Sequence, residues 1–236
     1  MFLKINNKHR GLYIVGDINT QYSKLIIKIK LRKLKNSDII IISNFGIGVV
    51  SDKIEKKILS DFNNDLFDNN NHIYINKGYV DNSEKFKYYK EKYSNIHFVE
   101  NYDILTFNGD GFLFLNESTK INRSYDFNPK RTKPTTFIAT NITYSKKIKY
   151  IISNESPDFI HPYNLNNLKP FTKLDKWLYN DIKKNRLKLT KIYDELLDRH
   201  KKIDTWFISK YNIDLTEEKN NTTFIHIKKI SFFKLS

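Results

Sequence analysis

The chain has 236 residues and no cysteine. That absence excludes a disulfide framework, thiolate zinc sites and a cysteine nucleophile, so any metal would rest on His, Asp, Glu or Asn. Glycine and proline are scarce, at seven and five residues, and alanine occurs once, at Ala139. No apolar run approaches the ~18 residues of a membrane span. The opening residues, MFLKINNKHRG, contain no signal-peptide core, and a cytoplasmic location in the producing cell is expected. What the chain has in excess is positive charge: 41 Lys and Arg stand against 26 Asp and Glu, a formal net charge of +15. With 39% hydrophobic and 14% aromatic residues, it can bury a substantial core, which argues against wholesale disorder.

The charge is of a particular kind. There are 35 Lys but 6 Arg, with 32 Ile and 28 Asn. Lys, Ile and Asn have AT-rich codons, whereas Ala, Gly, Pro and Arg have GC-rich ones, so an AT-rich genome is the simplest cause. Lysines then accumulate on solvated faces without a dedicated partner. A basic protein still attracts polyanions, which keeps nucleic acid among the candidate partners. No Arg cluster of the kind that reads phosphate is evident.

Apolar patterning in the first half alternates between strand and helix. Gly11 to Val15 reads as a strand ended by Gly16-Asp17. Gln21 to Lys35 has helical spacing, with Tyr22, Leu25, Ile26, Ile29 and Leu34 near one face. Ile39 to Ile42 reads as a buried strand. Ser51 is placed to cap a helix through Ile54, Ile58 and Phe62, a polar stretch from Asn63 to Asn71 follows, and His72 to Ile75 reads as a third strand. This order predicts an α/β sheet. Gly16, Gly46, Gly48 and Gly78 all lie just past apolar strands. The placement suggests positive φ or close approach at strand C-termini, where open α/β sheets carry their sites; plain strand-to-helix turns are the other reading. Further on, Phe98-Val99, Tyr102–Phe107 and Phe112–Leu115 read as strands, with Gly109-Asp110-Gly111 as a hairpin turn. Asp126 to Thr136 reads as a loop, and Lys149 to Ser153 as a strand. Leu174 to His200 is the longest helical pattern, and Thr205–Ser209 and Thr223–Leu235 read as closing strands. No repeat or linker interrupts the chain, so one domain over residues 1–236 is expected.

Six short segments occur in an order that resembles the calcineurin-like metallophosphoesterases, in the short form common in phages and bacteria. The family's Gly-Asp-x-His-Gly is matched by Gly16-Asp17-Ile18-Asn19-Thr20. Its second strand-end turn is matched by Ile42-Ser43-Asn44-Phe45-Gly46, and its Gly-Asn-His-Asp/Glu by Gly78-Tyr79-Val80-Asp81-Asn82. Its Ser-Ile-Asp-Arg is similar to Lys120-Ile121-Asn122-Arg123. Its Thr-His-x-x-Pro-Asp is matched by Ser153-Asn154-Glu155-Ser156-Pro157-Asp158, and its closing Trp-Phe-x-Gly-His-x-His by Trp206-Phe207-Ile208-Ser209-Lys210-Tyr211-Asn212. The resemblance implies an α/β fold: a sandwich of two mixed β-sheets flanked by helices.

It also implies a site that has lost its chemistry. The family holds two metal ions on Asp, His and Asn ligands. Here Asp17 alone survives as an anionic ligand. Asn19 stands for a His, Asn44 for the bridging carboxylate, Tyr79 for the ligand Asn, Val80 for the catalytic His, Asn154 for another His, and Lys210 and Asn212 for the last two. Neutral amides are weak ligands for transition metals, Val80 cannot donate a proton, and a protonated Lys cannot ligate. His9, His72, His97, His161, His200 and His226 all miss the matched positions. The expectation is therefore a pseudoenzyme with no metal, no cofactor and no catalytic residues. Lys210 is expected to neutralise Asp17, with Asn19, Asn44, Asn154 and Asn212 as hydrogen-bond partners and Tyr79 filling the vacated volume. The alternative is a single hard cation on Asp17 and Asn oxygens. Asp81, Glu155 and Asp158 also lie near this site, Asp81 and Asp158 fitting as turn residues. The Leu174–His200 helix reads as a cover for the sheet, with an oligomer interface as the alternative. The expected function is a structural or protein-binding scaffold, a phage virion or assembly component, with protein partners or further copies of itself and no membrane. The alternatives are a nucleotide- or nucleic-acid-binding pseudoenzyme and a phosphoesterase with a rebuilt metal site.

Overall fold

The computed structural model describes residues 2–5, 10–116, 148–162, 178–200 and 202–235. Within them the chain builds two mixed sheets. The five-stranded sheet grows from three successive β-α-β units: β2 (Gly11–Val15), α1 (Tyr22–Leu31), β3 (Ser37–Ile41), α2 (Asp52–Asp68), β4 (His72–Asn76), α3 (Ser83–Tyr89) and β5 (Ile96–Val99). These four strands are parallel, and β12 (Phe232–Leu235) closes one edge antiparallel to β2. The seven-stranded sheet runs in the order β1-β6-β7-β8-β9-β11-β10. Its strands are β1 (Phe2–Ile5), β6 (Ile104–Phe107), β7 (Asp110–Leu115), β8 (Ile148–Ser153), β9 (Thr205–Ile208), β10 (Leu215–Lys219) and β11 (Thr222–His226). The helix α4 (Leu178–His200) lies between the parallel neighbours β8 and β9.

Three apolar clusters define the layers. Ile14, Ile40, Ile42 and Tyr74 of the first sheet meet Phe112, Phe114, Ile152 and Phe207 of the second, so the sheets face each other. The other face of the five-stranded sheet is covered by α1, α2 and α3 through Leu25, Ile29, Leu59, Phe62, Phe86 and Tyr89. The other face of the seven-stranded sheet is covered by α4 through Leu189, Ile192, Tyr193 and Leu196 against Ile151, Trp206 and Phe224. Because β3 is buried on both faces, its sequence is an unbroken aliphatic run rather than an alternating one. Burying each such side chain stabilises the fold by roughly 1.5–3 kcal/mol.

Several elements depart from the sequence expectation. The first helix ends at Leu31, short of Lys35. Lys33 takes φ 52°, and the Leu34 N–H donates to the Ile29 carbonyl at 3.2 Å, so Leu34 folds back on the helix in a Schellman-type stop. The second helix runs past Phe62 to Asp68 because Leu66 continues the buried stripe. Ser51 is its N-cap in position, yet its side chain makes no capping bond; the Glu55 carboxylate accepts from Gly48 N–H instead. α3 is unanticipated, and Asn82 caps it by accepting from Glu84 and Lys85 N–H, each at 3.0 Å. The hairpin turn is Asn108-Gly109, at φ 50° and 93°, so Asp110 and Gly111 already belong to β7. The closing segment divides between two sheets, β11 in one and β12 in the other, and β1 and β10 are additional strands. The 120–123 segment, the 126–136 loop and Leu174–Trp177 lie outside the described residues.

Candidate functional site

The C-terminal ends of β2, β3, β4, β8 and β9 meet at one rim of the sandwich, and all eight singled-out positions lie on the loops that leave them. Asp17, at the end of β2, is the hub of the first half. It is 6% exposed. Its Oδ2 accepts from Asn44 Nδ2 at 2.7 Å, and its Oδ1 accepts from Ser209 Oγ at 2.8 Å. Ser209 Oγ also accepts from the Asp17 backbone N–H at 2.6 Å. Burial raises the Asp17 carboxyl from its ordinary 3.8 to about 6; the bonds from Asn44 and Ser209 and the charge of Lys229 lower it, and Asp81 adds to the rise. Asn44 sits at φ 48° and spends its other amide atom on the Val80 N–H, at 3.3 Å. Its carbonyl takes the Ile18 and Asn19 N–H groups at 3.2 and 2.6 Å. Asn44 is thus a brace tying three loops together. That role explains Gly78, where an added Cβ would lie 2.2 Å from both Asn44 N and Asn44 Oδ1. The scarce glycines at strand ends reflect such close approaches and, at Gly46, a φ of 103°.

Asp81 has its own structural task. Its carboxylate accepts from the backbone N–H groups of Gly46, Ile47, Phe45 and Gly78 at 2.6, 2.8, 3.3 and 2.7 Å. It nails the β3 exit loop to the β4 exit loop, more than the turn role expected of it. Burial raises its carboxyl and these four bonds oppose the rise. Tyr79 is half-buried, and its hydroxyl is pushed up by burial and by the charge of Asp17. Val80 is half-buried beside it.

The second half of the site corrects one expectation. Lys210 does not serve Asp17. Its Nζ lies 2.5 Å from Glu155 Oε2, with both side chains almost fully buried. Glu155 also accepts from the Tyr211 hydroxyl, and the Arg186 guanidinium stands 3.7 Å from its Oε1. Arg186 further donates to the Pro157 and Asp158 carbonyls at 3.0 and 3.2 Å. The physical reason is register: Lys210 follows β9 as Glu155 follows the adjacent β8, so these two meet directly. Lys229 is a cation whose charge acts on Asp17. Asn154 is fully buried and Asn19 takes φ 48°. Asn212 is exposed and accepts from the Lys229 N–H at 3.1 Å. Of the four asparagines assigned to Asp17, Asn44 bonds to it.

Sequence reasoning missed Arg186. Its signal was present: it falls on the buried stripe Ile182, Arg186, Leu189, Tyr193 of α4, in a chain with six arginines. A charged residue on an apolar helical stripe demands a buried partner, and Glu155 is that partner. Of the described histidines, His161 and His226 border the Glu155 cluster, their rings 6.3 and 6.4 Å from that of Tyr211, whereas His72 and His97 pair with each other. His72 Nδ1 and His97 Nε2 lie 3.1 Å apart. His226, 3.7 Å from Glu217, is lowered to about 4 by burial. His9 and the His200 side chain lie outside the described residues. Among the described residues no three His, Asp or Glu side chains are grouped to hold a metal ion, and no helix is long and apolar enough to cross a membrane. No protein-family model and no curated protein matches the chain.

Proposed function

We propose that the chain is a catalytically inactive, calcineurin-like metallophosphoesterase sandwich that works as a structural or protein-binding scaffold, as in a phage virion or its assembly. The observation that carries the reading is the Lys210–Glu155 pair. A buried ammonium occupies a strand-end position where the family resemblance calls for a metal ligand, and it is neutralised from within the fold. A two-metal site needs carboxylates and imidazoles open toward the ions. Here Asp17, Asp81 and Glu155 are all satisfied by the protein's own donors, and the Asp17–Ser209 bonds tie the two sheets together at the rim.

The test is elemental analysis of purified protein dialysed against Mn²⁺, Zn²⁺ and Mg²⁺, with phosphodiester hydrolysis assayed on the same samples. The expected result is below about 0.1 metal per chain and no turnover above an Asp17→Ala control. One or two metals per chain with turnover would overturn the reading.

A further inference from the structure

Residues 18–37 and 228–235 contain no acidic residue, as is also true of residues 127–154 and 182–193 elsewhere in the chain. Residues 18–37 carry Lys24, Lys28, Lys30, Arg32, Lys33 and Lys35, and residues 228–235 carry Lys228, Lys229 and Lys234. The fold lays these stretches side by side. Lys28 Nζ donates to the Ile230 carbonyl at 2.8 Å. The Arg32 guanidinium sits 5.0 Å over the Phe232 ring. β12 pairs with β2, the strand that feeds α1. The result is one cationic strip along α1 and the β12 edge, with Lys24, Lys30, Arg32, Lys33, Lys35, Lys228 and Lys234 exposed. Codon bias accounts for lysines but not for missing acids. The neighbouring helix α2 carries Asp52, Glu55, Asp61, Asp65 and Asp68 against three lysines. Asp65 pairs with Lys30 at 3.0 Å, both side chains being solvent-exposed, and such a pair holds a cation weakly. Where α1 ends, Lys30, Lys33, Lys35 and Asn69 line a concavity of about 300 Å³.

We infer that this strip binds the phosphate backbone of a nucleic acid. A line of cations that outnumbers its neighbouring acids, Asp65 beside Lys30 and Asp214 beside the Lys228 N–H, suits a linear polyanion, whose condensed counterions are released on contact. A lipid surface suits it less. Ile27 and Leu31, 54% and 76% exposed, are the large apolar side chains that α1 turns outward. Their combined aliphatic bulk is less than one myristoyl chain, which alone anchors only marginally. Recognition is through charge and is indifferent to base sequence. The inference does not depend on whether the rim site is inactive.

The experiment is fluorescence anisotropy with labelled duplex DNA and single-stranded RNA over a salt series, using the full chain. Two triple variants are compared, each checked for an unchanged folded circular-dichroism spectrum: Lys24→Gln, Lys33→Gln, Lys35→Gln on the strip, and Lys183→Gln, Lys184→Gln, Lys191→Gln on exposed positions of α4. Six engaged cations would give duplex binding a log–log salt slope of about −5, and the strip triple should make it shallower by about 3 while the α4 triple leaves it unchanged. Equal losses in both triples would overturn the inference, because binding would then follow net charge and not this face. So would tighter binding to phosphatidylserine–phosphatidylcholine vesicles than to either nucleic acid, or the absence of binding at low salt.

Discussion

Asp17 makes the fold pay for a buried charge, and that cost should be visible in the pH dependence of stability. In the folded chain its carboxyl titrates at about 6, against an ordinary 3.8. Between those values the folded state keeps a proton that the unfolded chain has released. Stability therefore falls as pH rises from about 4 to about 6, and the fall is complete above pH 7. A shift of that size corresponds to about 3 kcal/mol. The perturbation is Asp17→Asn, which keeps the shape and removes the titration. The introduced amide can still accept from Ser209 through its oxygen, but its nitrogen would face Asn44 Nδ2. Asn44 cannot simply flip, because its Oδ1 serves the Val80 N–H. The variant thus carries a fixed penalty that does not vary with pH. The informative quantity is the wild-type minus variant unfolding free energy, measured by urea titration at several pH values from 3.5 to 7.5. Every other titrating group cancels in that difference. It should drop by about 3 kcal/mol toward high pH, equivalent to a relative Tm change on the order of 6–12 °C for a chain of this size. A difference constant to within about 0.5 kcal/mol would refute the claim that burial dominates the environment of Asp17.

Two further outcomes follow from the same rim. Lys210→Met should cost about 3 kcal/mol, because it leaves Glu155 buried with the Tyr211 hydroxyl, the Ser156 N–H and a more distant Arg186, and no close cation among the described residues. Adding Glu155→Gln should recover part of that loss, and strict additivity of the two changes in chemical denaturation would show that the pair is not coupled. Gly78→Ala should destabilise by about 3 kcal/mol or more, since its Cβ must displace the Asn44 backbone and amide at 2.2 Å. A thermal melt within a degree of wild type would show that the β4 exit loop yields freely.

Much of the fold was readable from local pattern. The runs around Ile14, Ile40 and Ile73 announced strands of an α/β sheet, and helical spacing announced α1, α2 and α4, because period and propensity are local properties. The misreadings had non-local causes. Polar composition hid the last turns of α2, which Leu66 anchors against the sheet. α3 depends on Asn82 as a cap and on a pocket for Phe86 and Tyr89, neither of which has a periodic signature over so short a span. The edge strands β1 and β10 are short, and their partners are distant or polar.

For the rim, the sequence alone determined which chemistry was present: one matched aspartate, several amides, a lysine, and glycines at the ends of strands. Composition also determined that the surface would be cationic, since 41 basic residues cannot be hidden. Tertiary structure decided the pairing. Lys210 chose Glu155 over Asp17 because adjacent parallel strands β8 and β9 bring their exit loops together, whereas Asp17 leaves the opposite sheet and meets Ser209 and Asn44. It likewise gathered two acid-free stretches, almost two hundred residues apart in the chain, onto one edge through the β2–β12 pairing. Charge identity is carried by each residue, but charge proximity is set by strand order, which no local pattern encodes.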